Sequence, residues 1–252
     1  MAEGESLKVF IWSHPKSAST VLLRSFDARD DCHVQLEPFL IGACNNQAPR
    51  NSQEILKLLR NLHLNEKSER KTIVKEHAWV YYPLMKDELF VENFHRGHHI
   101  LLIRDPACSL KSYVEEEGLT ATLERQDELS LKPMTALLNQ LQELPHVVIN
   151  AEQLVSNPEL FTEKICEFLN WKNPSAMLKW ANVEQENNIY TDPANQKWFK
   201  NVAKSTEFSR ETLRGKTFVY NWCVPEELKP LLSFNKKCFT QITSSRSTLV
   251  IK

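Results

Sequence analysis

A lysine and three hydroxyl residues crowd the segment that follows the first apolar run of the sequence. Residues 7–12 are apolar and β-rich, 13–17 form a polar turn, and 21–26 return to an apolar-periodic pattern. This order predicts a strand, a loop and a helix. Free N–H groups and the dipole at a helix N-terminus favour an anion, to which hydroxyls and an ammonium add donors. The candidate phosphate or sulfate ligands are Lys16, Ser17, Ser19 and Thr20.

This loop is not a Walker A motif. The sequence contains no GxxxxGK[ST], and Ala18 stands where a flexible glycine would be expected. An ordinary kinase or ATPase is therefore disfavoured. The alternative for the loop itself is that Ser17 or Ser19 only caps a helix and that Lys16 is solvated.

A second candidate anion receptor lies at the end of a later apolar run. Residues 101–103 are apolar and lead into Arg104, Ser112 follows on a predicted helix, and Gly118 comes after it. A guanidinium binds a phosphate through two parallel hydrogen bonds, and a serine facing the same crevice adds a third. The alternative is a salt bridge between Arg104 and Asp105, with Ser112 simply on a helix.

Lys75 and His77 end another predicted strand, 72–75. Side chains alternate between the two faces of a strand, so these two should lie on the same side. A lone histidine has a packing or surface role in most proteins, and that alternative applies here as well.

The strand and helix patterns alternate along the chain. We predict helices at 53–63, 83–94, 106–117, 158–169 and 225–242, and strands at 72–75, 99–104 and 146–149. Such alternation indicates one α/β domain, 1–252, with a central parallel sheet flanked by helices. The pattern weakens over 171–217. In open α/β sheets ligands bind at the carboxyl ends of strands, where both candidate anion receptors fall.

Composition excludes several classes of function. The 252 residues carry 31 Lys plus Arg against 32 Asp plus Glu, so the net charge of −1 gives no field for nucleic acid. The first apolar run is too short for a signal peptide or membrane helix, so we expect a cytoplasmic protein without a membrane partner. Six scattered cysteines without a CxxC pair, and histidines 95, 98 and 99 without further ligands at suitable spacing, predict no metal site.

Four collinear segments between 9 and 171 resemble the soluble, cytosolic-type sulfotransferases. HPKSAST is similar to their 5'-phosphosulfate loop, YPKSGTTW, and 104–118 reproduces the 3'-phosphate motif RxPxxxxxSxxxxxG. Lys75-Glu76-His77 resembles the KTH segment, and 147–171 resembles the strand and helix written YEDLxxxPxxxxxxIxxFL. The fold implied is the P-loop-like fold of sulfotransferases.

The departures from the family pattern concern the nucleotide pocket. Ala18 replaces a glycine, which is tolerable if its φ is negative, as in a first helical turn. Val21 replaces a tryptophan that stacks on adenine in the family, and Ala151 replaces a tyrosine. The C-terminal RKGxxGDWKN motif has only an echo at 214–216 and 221–222. These differences indicate a divergent branch.

The resemblance implies a donor, 3'-phosphoadenosine 5'-phosphosulfate (PAPS), and a desulfated product, PAP. The sulfuryl group would pass to a hydroxyl or amine of a small-molecule acceptor, with His77 as general base and Lys16 and Lys75 stabilising charge. The implied nucleotide ligands are Lys16, Ser17, Ala18, Ser19, Thr20, Arg104, Ser112 and Arg214. The alternatives are a non-catalytic nucleotide-binding member of the fold and an ATP-dependent phosphotransferase.

Overall fold

The computed structural model describes residues 8–38, 71–82, 97–181, 202–208 and 222–249. The predicted helices 53–63 and 83–94 lie outside the described residues, as does Arg214. The strands and the three motifs that surround the candidate site are described.

Within the described residues the centre of the molecule is a six-stranded sheet of order β2-β3-β1-β4-β5-β6. The strands are β1 Lys8–Ser13, β2 Cys32–Leu36, β3 Lys71–His77, β4 His98–Ile103, β5 His146–Asn150 and β6 Thr248–Leu249. Every neighbouring pair is parallel. All carboxyl ends therefore face one edge of the sheet, here called the carboxyl edge, and all amino ends face the opposite amino edge.

Strand β1 lies inside the sheet and is buried on both faces. Its alternating residues Val9 and Ile11 enter one apolar core, and Phe10 and Trp12 enter a second core on the other face. Burial of both faces gives the nearly continuous apolar run that parallel strands require.

Helices cover both faces of the sheet. They are α1 Ser19–Asp27, α2 Ala78–Tyr81, α3 Pro106–Glu117, α4 Leu119–Glu124, α5 Gln126–Leu129, α6 Lys132–Gln140, α7 Ala151–Ser156, α8 Pro158–Leu169 and α9 Lys229–Thr243, with 3₁₀ turns at Pro174–Met177 and Glu226–Leu228. Residues of α1, α7 and α8 fill the first core, and residues of α2, α6 and α9 fill the second. The arrangement is the three-layered α/β architecture expected from the sequence.

Helix α9 is fastened by one buried amide. Asn235 accepts a hydrogen bond from the Leu131 backbone at 2.8 Å and donates one to the Leu129 carbonyl at 2.9 Å. Both halves of the amide are thus satisfied inside the protein, and α9 is held against the segment that joins α5 to α6.

The described elements agree with most of the sequence predictions. The predicted ranges 106–117 and 158–169 are the observed α3 and α8, and the predicted strands match β1, β3, β4 and β5 within a few residues. Strands β2 and β6 and helices α2, α4, α5, α6 and α7 had not been predicted.

One glycine at the amino edge has no room for a side chain. A Cβ added to Gly97, just before β4, would lie 2.6 Å from Cε2 of Phe10 and 3.3 Å from the carbonyl of Lys8. A side chain at Gly97 would therefore have to displace the Phe10 ring.

A cluster of charged residues also lies at the amino edge. Asp31 accepts from Nε of Arg29 at 2.9 Å and from Nζ of Lys71 at 2.6 Å. Both cations lie over the ring of Trp171, Lys71 at 4.2 Å and Arg29 at 5.3 Å from its centroid. The hydrogen bond from Arg29 holds the pKa of Asp31 well below its usual range. This cluster joins the starts of β2 and β3 to the end of α8.

Candidate functional site

The three chemical motifs of the sequence meet at the carboxyl edge. Strands β3, β1 and β4 are neighbours in that order. Ser13 and His77 end β1 and β3, where they are register partners, and Arg104 directly follows β4. The parallel sheet therefore brings the first loop, the histidine and the arginine into one region.

The loop after β1 has an unusual backbone. Lys16 and Ala18 have φ values of 62° and 63°, in the left-handed region. The expectation of a negative φ at Ala18 is wrong, because α1 begins at Ser19 and Ala18 is its N-cap rather than part of its first turn. Left-handed residues cost about 1 kcal/mol when they carry a Cβ. Successive N–H groups in such a loop form a concave anion receptor.

The polar side chains of this loop fit an anionic ligand. Alanine at the N-cap supplies no side-chain oxygen to cap α1, although its carbonyl accepts from the N–H of Val21 at 3.1 Å. The buried hydroxyl of Ser17 has no hydrogen-bond partner among the described residues. Ser19 is buried and Thr20 half-buried at the first two positions of α1. An anionic oxygen at this helix terminus would satisfy donors that the fold leaves open.

The side chain of Lys16 turns towards α3. Its ammonium lies 2.6 Å from a carboxylate oxygen of Glu116 and 5.8 Å from the centroid of the Tyr113 ring. The lysine is thus placed between the loop and α3, close to the point at which Arg104 approaches the same loop.

His77 is held on both of its ring nitrogens. Nδ1 lies 3.2 Å from the hydroxyl of Ser13, and Nε2 lies 3.3 Å from the ammonium of Lys75 and 3.1 Å from a carboxylate oxygen of Glu37. Lys75 and His77 share one side of β3, as the alternation predicts. Burial and the charge of Lys75 lower the pKa of His77, although Glu37 opposes them, so the imidazole is neutral near neutral pH.

A neutral His77 has two tautomers: one donates from Nε2 to Glu37, and the other carries its proton on Nδ1. The hydroxyl of Ser13 also lies 3.2 Å from the carbonyl of Glu76, and it has a single proton. When Ser13 donates to that carbonyl, it accepts from Nδ1–H of His77, and Nε2 then faces Lys75 as an acceptor. In this tautomer His77 can take a proton at Nε2.

Glu37 is a site residue that the sequence reasoning missed. It follows β2 with a φ of 46°, and its N–H bonds to the carbonyl of Lys75 at 2.8 Å. Its carboxylate forms an ion pair with Lys75 as well as the contact with His77. Burial raises the pKa of Glu37, but the charge of the adjacent Lys75 outweighs it and leaves the group ionised. The signal that could have found it is the alternation in residues 32–36, which carries β2 to this position.

Behind His77, the other face of β3 carries a buried carboxylate. Glu76 accepts from the backbone N–H of His77 at 2.9 Å. Burial and the nearby charge of Glu76 raise the pKa of Tyr81 well above its usual value. This contact fixes the backbone at the point where β3 passes into α2.

Arg104 connects three elements of the site. Its NH1 group donates to the carbonyl of Lys16 at 3.0 Å, and its Nε lies 3.2 Å from a carboxylate oxygen of Glu152 on α7. Asp105 instead caps α3, where it accepts from the N–H groups of Ala107 and Cys108 at 2.8 and 3.1 Å. The alternative of an Arg104–Asp105 salt bridge is therefore replaced by a pairing with Glu152.

The remaining positions that the family pattern assigns to the nucleotide site are buried. Ser112 is buried on α3, the helix that begins just after Arg104. Val21 and Ala151 both belong to the first core, on α1 and α7. At the two positions where the family has aromatic residues, this chain has small side chains packed inside the protein.

His14 is a further buried residue of the loop. Its Nε2 lies 2.9 Å from the hydroxyl of Ser109 on α3, and its Nδ1 is buried without a hydrogen-bond partner among the described residues. Burial, with the charges of His77 and Arg104, lowers the pKa of His14 to about 3. The imidazole is therefore neutral.

Two kinds of feature are absent from the described ranges. These residues contain no group of three His, Cys, Asp or Glu side chains that could hold a metal ion. Their helices include none that is long and apolar enough to cross a membrane.

Comparison of sequences finds two plant relatives and no matching family model. The chain is 30% identical over 231 residues to branched-chain-amino-acid aminotransferase-like protein 1 of Arabidopsis thaliana, covering 86% of this chain and 39% of that protein. Its similarity to protein 2 of the same name and organism is 25% over 243 residues, covering 88% and 40%. The chain thus spans about two fifths of the length of the curated relatives it matches.

Comparison of structures identifies sulfotransferases. The sulfotransferase domain of the Synechococcus PCC 7002 olefin synthase matches with a TM-score of 0.60 at 14% identity, over 92% of this chain and 96% of that one. The sulfotransferase domain from the curacin biosynthetic pathway matches with a TM-score of 0.60 at 16% identity, over 95% and 98%. A sulfotransferase from Alicyclobacillus acidocaldarius gives 0.50 at 12%, over 94% of each chain.

Proposed function

Because the chain has the sulfotransferase fold, as a divergent member, we propose that it binds PAPS and transfers the sulfuryl group to a hydroxyl or amine of a small acceptor. In this proposal Lys16, Ser17 and the start of α1 hold the 5'-phosphosulfate. Arg104 and Ser112 hold the 3'-phosphate, and His77 is the general base.

The observation that carries the proposal is the meeting of three motifs at one edge of the sheet. Arg104 bonds to the carbonyl of Lys16, and Ser13 lies within hydrogen-bond distance of His77. These contacts support one continuous site for the two proposed anion receptors and the histidine. An orphaned hydroxyl at Ser17 and an uncapped α1 supply donors where the phosphosulfate would lie.

The proposed reaction is an in-line transfer. The acceptor oxygen or nitrogen attacks sulfur, the bond from sulfur to the phosphate oxygen breaks, and PAP leaves with the electron pair of that bond. Nε2 of His77 takes the proton of the acceptor. Lys16 and Lys75 would stabilise the charge that develops on the bridging and peripheral oxygens.

Glu37 adds a requirement to this proposal. Its carboxylate lies against both Lys75 and Nε2 of His77, which is the atom that would take the proton of the acceptor. For the reaction, Lys75 must give up part of its hydrogen bonding to Glu37 and bind PAPS, the sulfuryl donor, instead. The acceptor must also reach Nε2 of His77. The ion pair thus keeps the lysine and the histidine in place before the substrate contacts them.

The base of the nucleotide needs a pocket unlike that of the family pattern. Val21 and Ala151 are packed in the core, where they offer no ring to stack on adenine. We therefore propose that phosphate contacts contribute most of the affinity and that adenine contributes less than in the aromatic pocket of the family pattern.

The experiment is calorimetric titration of the protein with PAP, beside ATP with magnesium. PAP should bind and ATP should not. Arg104→Ala should weaken PAP binding, and Arg104→Lys, which keeps the charge but loses the planar fork, should recover only part of it. Absence of PAP binding to the unaltered protein would reject the donor assignment.

A second candidate is a non-catalytic nucleotide-binding member of the fold. The observation that favours it is the pairing of Glu37 with both Lys75 and His77, which engages the two residues needed for chemistry. PAP binding without sulfuryl transfer to any hydroxylated or amine acceptor would support it. An ATP-dependent phosphotransferase is disfavoured by the missing Walker glycine and requires magnesium-dependent ATP turnover.

A further inference from the structure

We propose that His14 is a positioning residue that, through Ser109, fixes the distance between the loop for the 5'-anion and the helix for the 3'-phosphate. This inference rests on the proposed function and assigns a role to a residue that is not among the proposed nucleotide ligands. Its consequence is selectivity for a nucleotide that carries phosphates on both the 3' and the 5' positions.

The contact joins the two halves of the proposed nucleotide site. His14 directly follows β1 and begins the loop, whereas Ser109 lies in the first turns of α3, between Arg104 and Ser112. The hydrogen bond of 2.9 Å between them is buried, since each residue is only 3% exposed. Water therefore cannot replace either partner easily when the bond is lost.

A second bond joins the same two halves. Arg104 reaches the loop through the carbonyl of Lys16 at 3.0 Å. His14 and Lys16 are thus both tied to the junction of β4 and α3, and the loop between them cannot shift relative to that junction without breaking one of the bonds. Ser17 and Ala18 follow immediately, so the position of the anion receptor depends on these ties.

The chemistry of His14 suits a positioning role. As a neutral imidazole it adds no charge next to His77 and Arg104, and it supplies one nitrogen to Ser109 while the other remains in the loop. If the hydroxyl of Ser109 donates to Nε2, then Nδ1 carries a proton and can act as a donor inside the loop. The roles of the two nitrogens can be distinguished by substitution. The amide of asparagine lies approximately where Nδ1 lies, and the amide of glutamine reaches approximately as far as Nε2.

The experiment compares affinities for PAP and for adenosine 5'-phosphate, which lacks the 3'-phosphate. In the unaltered protein PAP should bind more tightly. His14→Asn and Ser109→Ala should each reduce this preference about five- to tenfold, the size expected for one buried hydrogen bond. His14→Gln should keep most of the preference, and the double variant should be no worse than either single one. Thermal melting of each variant separates loss of folding from loss of selectivity.

Each result decides the inference. Equal weakening of both nucleotides, additive effects of the two substitutions, or a His14→Gln variant as impaired as His14→Asn would overturn it and indicate a merely structural contact. If the unaltered protein binds PAP while the preference is unaffected by all variants, the positioning role fails and the proposed function stands. If the unaltered protein binds neither nucleotide, both fail together.

Discussion

The two edges of the sheet both carry clusters of charged side chains, but the clusters are built differently. At the amino edge a single carboxylate, Asp31, accepts from Arg29 and Lys71, and Trp171 covers both cations. At the carboxyl edge three cations meet three carboxylates from separate elements, in the pairs Lys16–Glu116, Lys75–Glu37 and Arg104–Glu152. The first cluster joins elements of the fold, and the second lines the proposed site.

The backbone also differs between the edges. The positive φ values beside the amino edge belong to Asn170 and Asn173, which flank Trp171, and asparagine adopts that region more readily than most residues. Those of the carboxyl edge belong to Lys16, Ala18 and Glu37, and two buried polar atoms there lack partners among the described residues. Strain and unsatisfied polar groups persist where a function requires them and the surrounding fold can bear them. Charge alone does not mark the site, since both edges are charged. Backbone strain together with unsatisfied hydrogen-bonding groups distinguishes the carboxyl edge.

The largest effect should come from His77→Ala. Removal of a general base lowers turnover by about two to four orders of magnitude, and PAP affinity should change little because the proposed phosphate ligands remain. Steady-state sulfuryl transfer and calorimetry measure the two quantities. His33→Ala, which removes an exposed histidine of β2, is the matched control and should leave both unchanged. Equal turnover of the two variants would contradict the assignment of the base.

Stability at acid pH should depend on the carboxyl edge. The pKa of His14 is about 3 in the folded protein and near 6.5 when unfolded, so only the unfolded chain gains this proton as the pH falls below 6.5. The free energy of unfolding should therefore decrease by about 2 kcal/mol between pH 6.5 and 5 from this residue alone. His77, whose pKa is also lowered, acts in the same direction.

Denaturant unfolding at several pH values measures this decrease. His14→Gln cannot titrate and should flatten the profile between pH 6.5 and 5, where the carboxylates of the amino edge remain ionised. An unchanged slope in this variant would show that His14 is not held neutral in the folded protein.

A smaller effect is expected at the amino edge from Asp31→Asn. Arg29 and Lys71 would lose their ion pairs, but the carboxylate is 45% exposed, so solvent screens much of the interaction. We expect a loss of about 1 kcal/mol, seen as a decrease of about 2–4 °C in Tm. PAP affinity and turnover of the folded protein should not change. A specific loss of turnover would break the proposed division between the two edges.

The smallest effect should follow from Ala18→Gly. Glycine relieves the left-handed strain but adds freedom to the unfolded chain, which leaves a gain of about 0.5 kcal/mol. Ala28→Gly is the matched control, because Ala28 has a φ of −67° at the other end of α1 and should lose stability instead. Chemical denaturation compares them, and a loss at both positions would mean that the loop is not strained at Ala18.

Strong periodicity explains the part of the fold that was predictable. Strands β1 and β4 are apolar runs that lead into polar or charged residues, and Pro106 and Pro158 mark the first turns of α3 and α8. Strand β2 was missed because Cys32–Leu36 is short, although His33 and Gln35 alternate with its apolar residues. Because β2 places Glu37 next to Lys75, the failure to predict this strand also left Glu37 out of the predicted site.

Local rules also failed at Ala18 and Arg104. Whether Ala18 belongs to the loop or to the first turn of α1 depends on the position of the helix start within one residue, which periodicity does not resolve. Glu152 becomes the partner of Arg104 only because β5 neighbours β4 and α7 follows β5. Such pairings are decided by the order of strands in the sheet, which local sequence patterns do not contain.

The tight contact at Gly97 shows that a position can be intolerant to substitution in this protein without lying near the proposed site. Any larger residue at Gly97 must displace the Phe10 ring, which belongs to the second core. In a saturation library screened for folded protein, we expect few replacements at this position, although it lies at the amino edge. A map of forbidden substitutions would therefore mark a packing contact as well as a reaction centre.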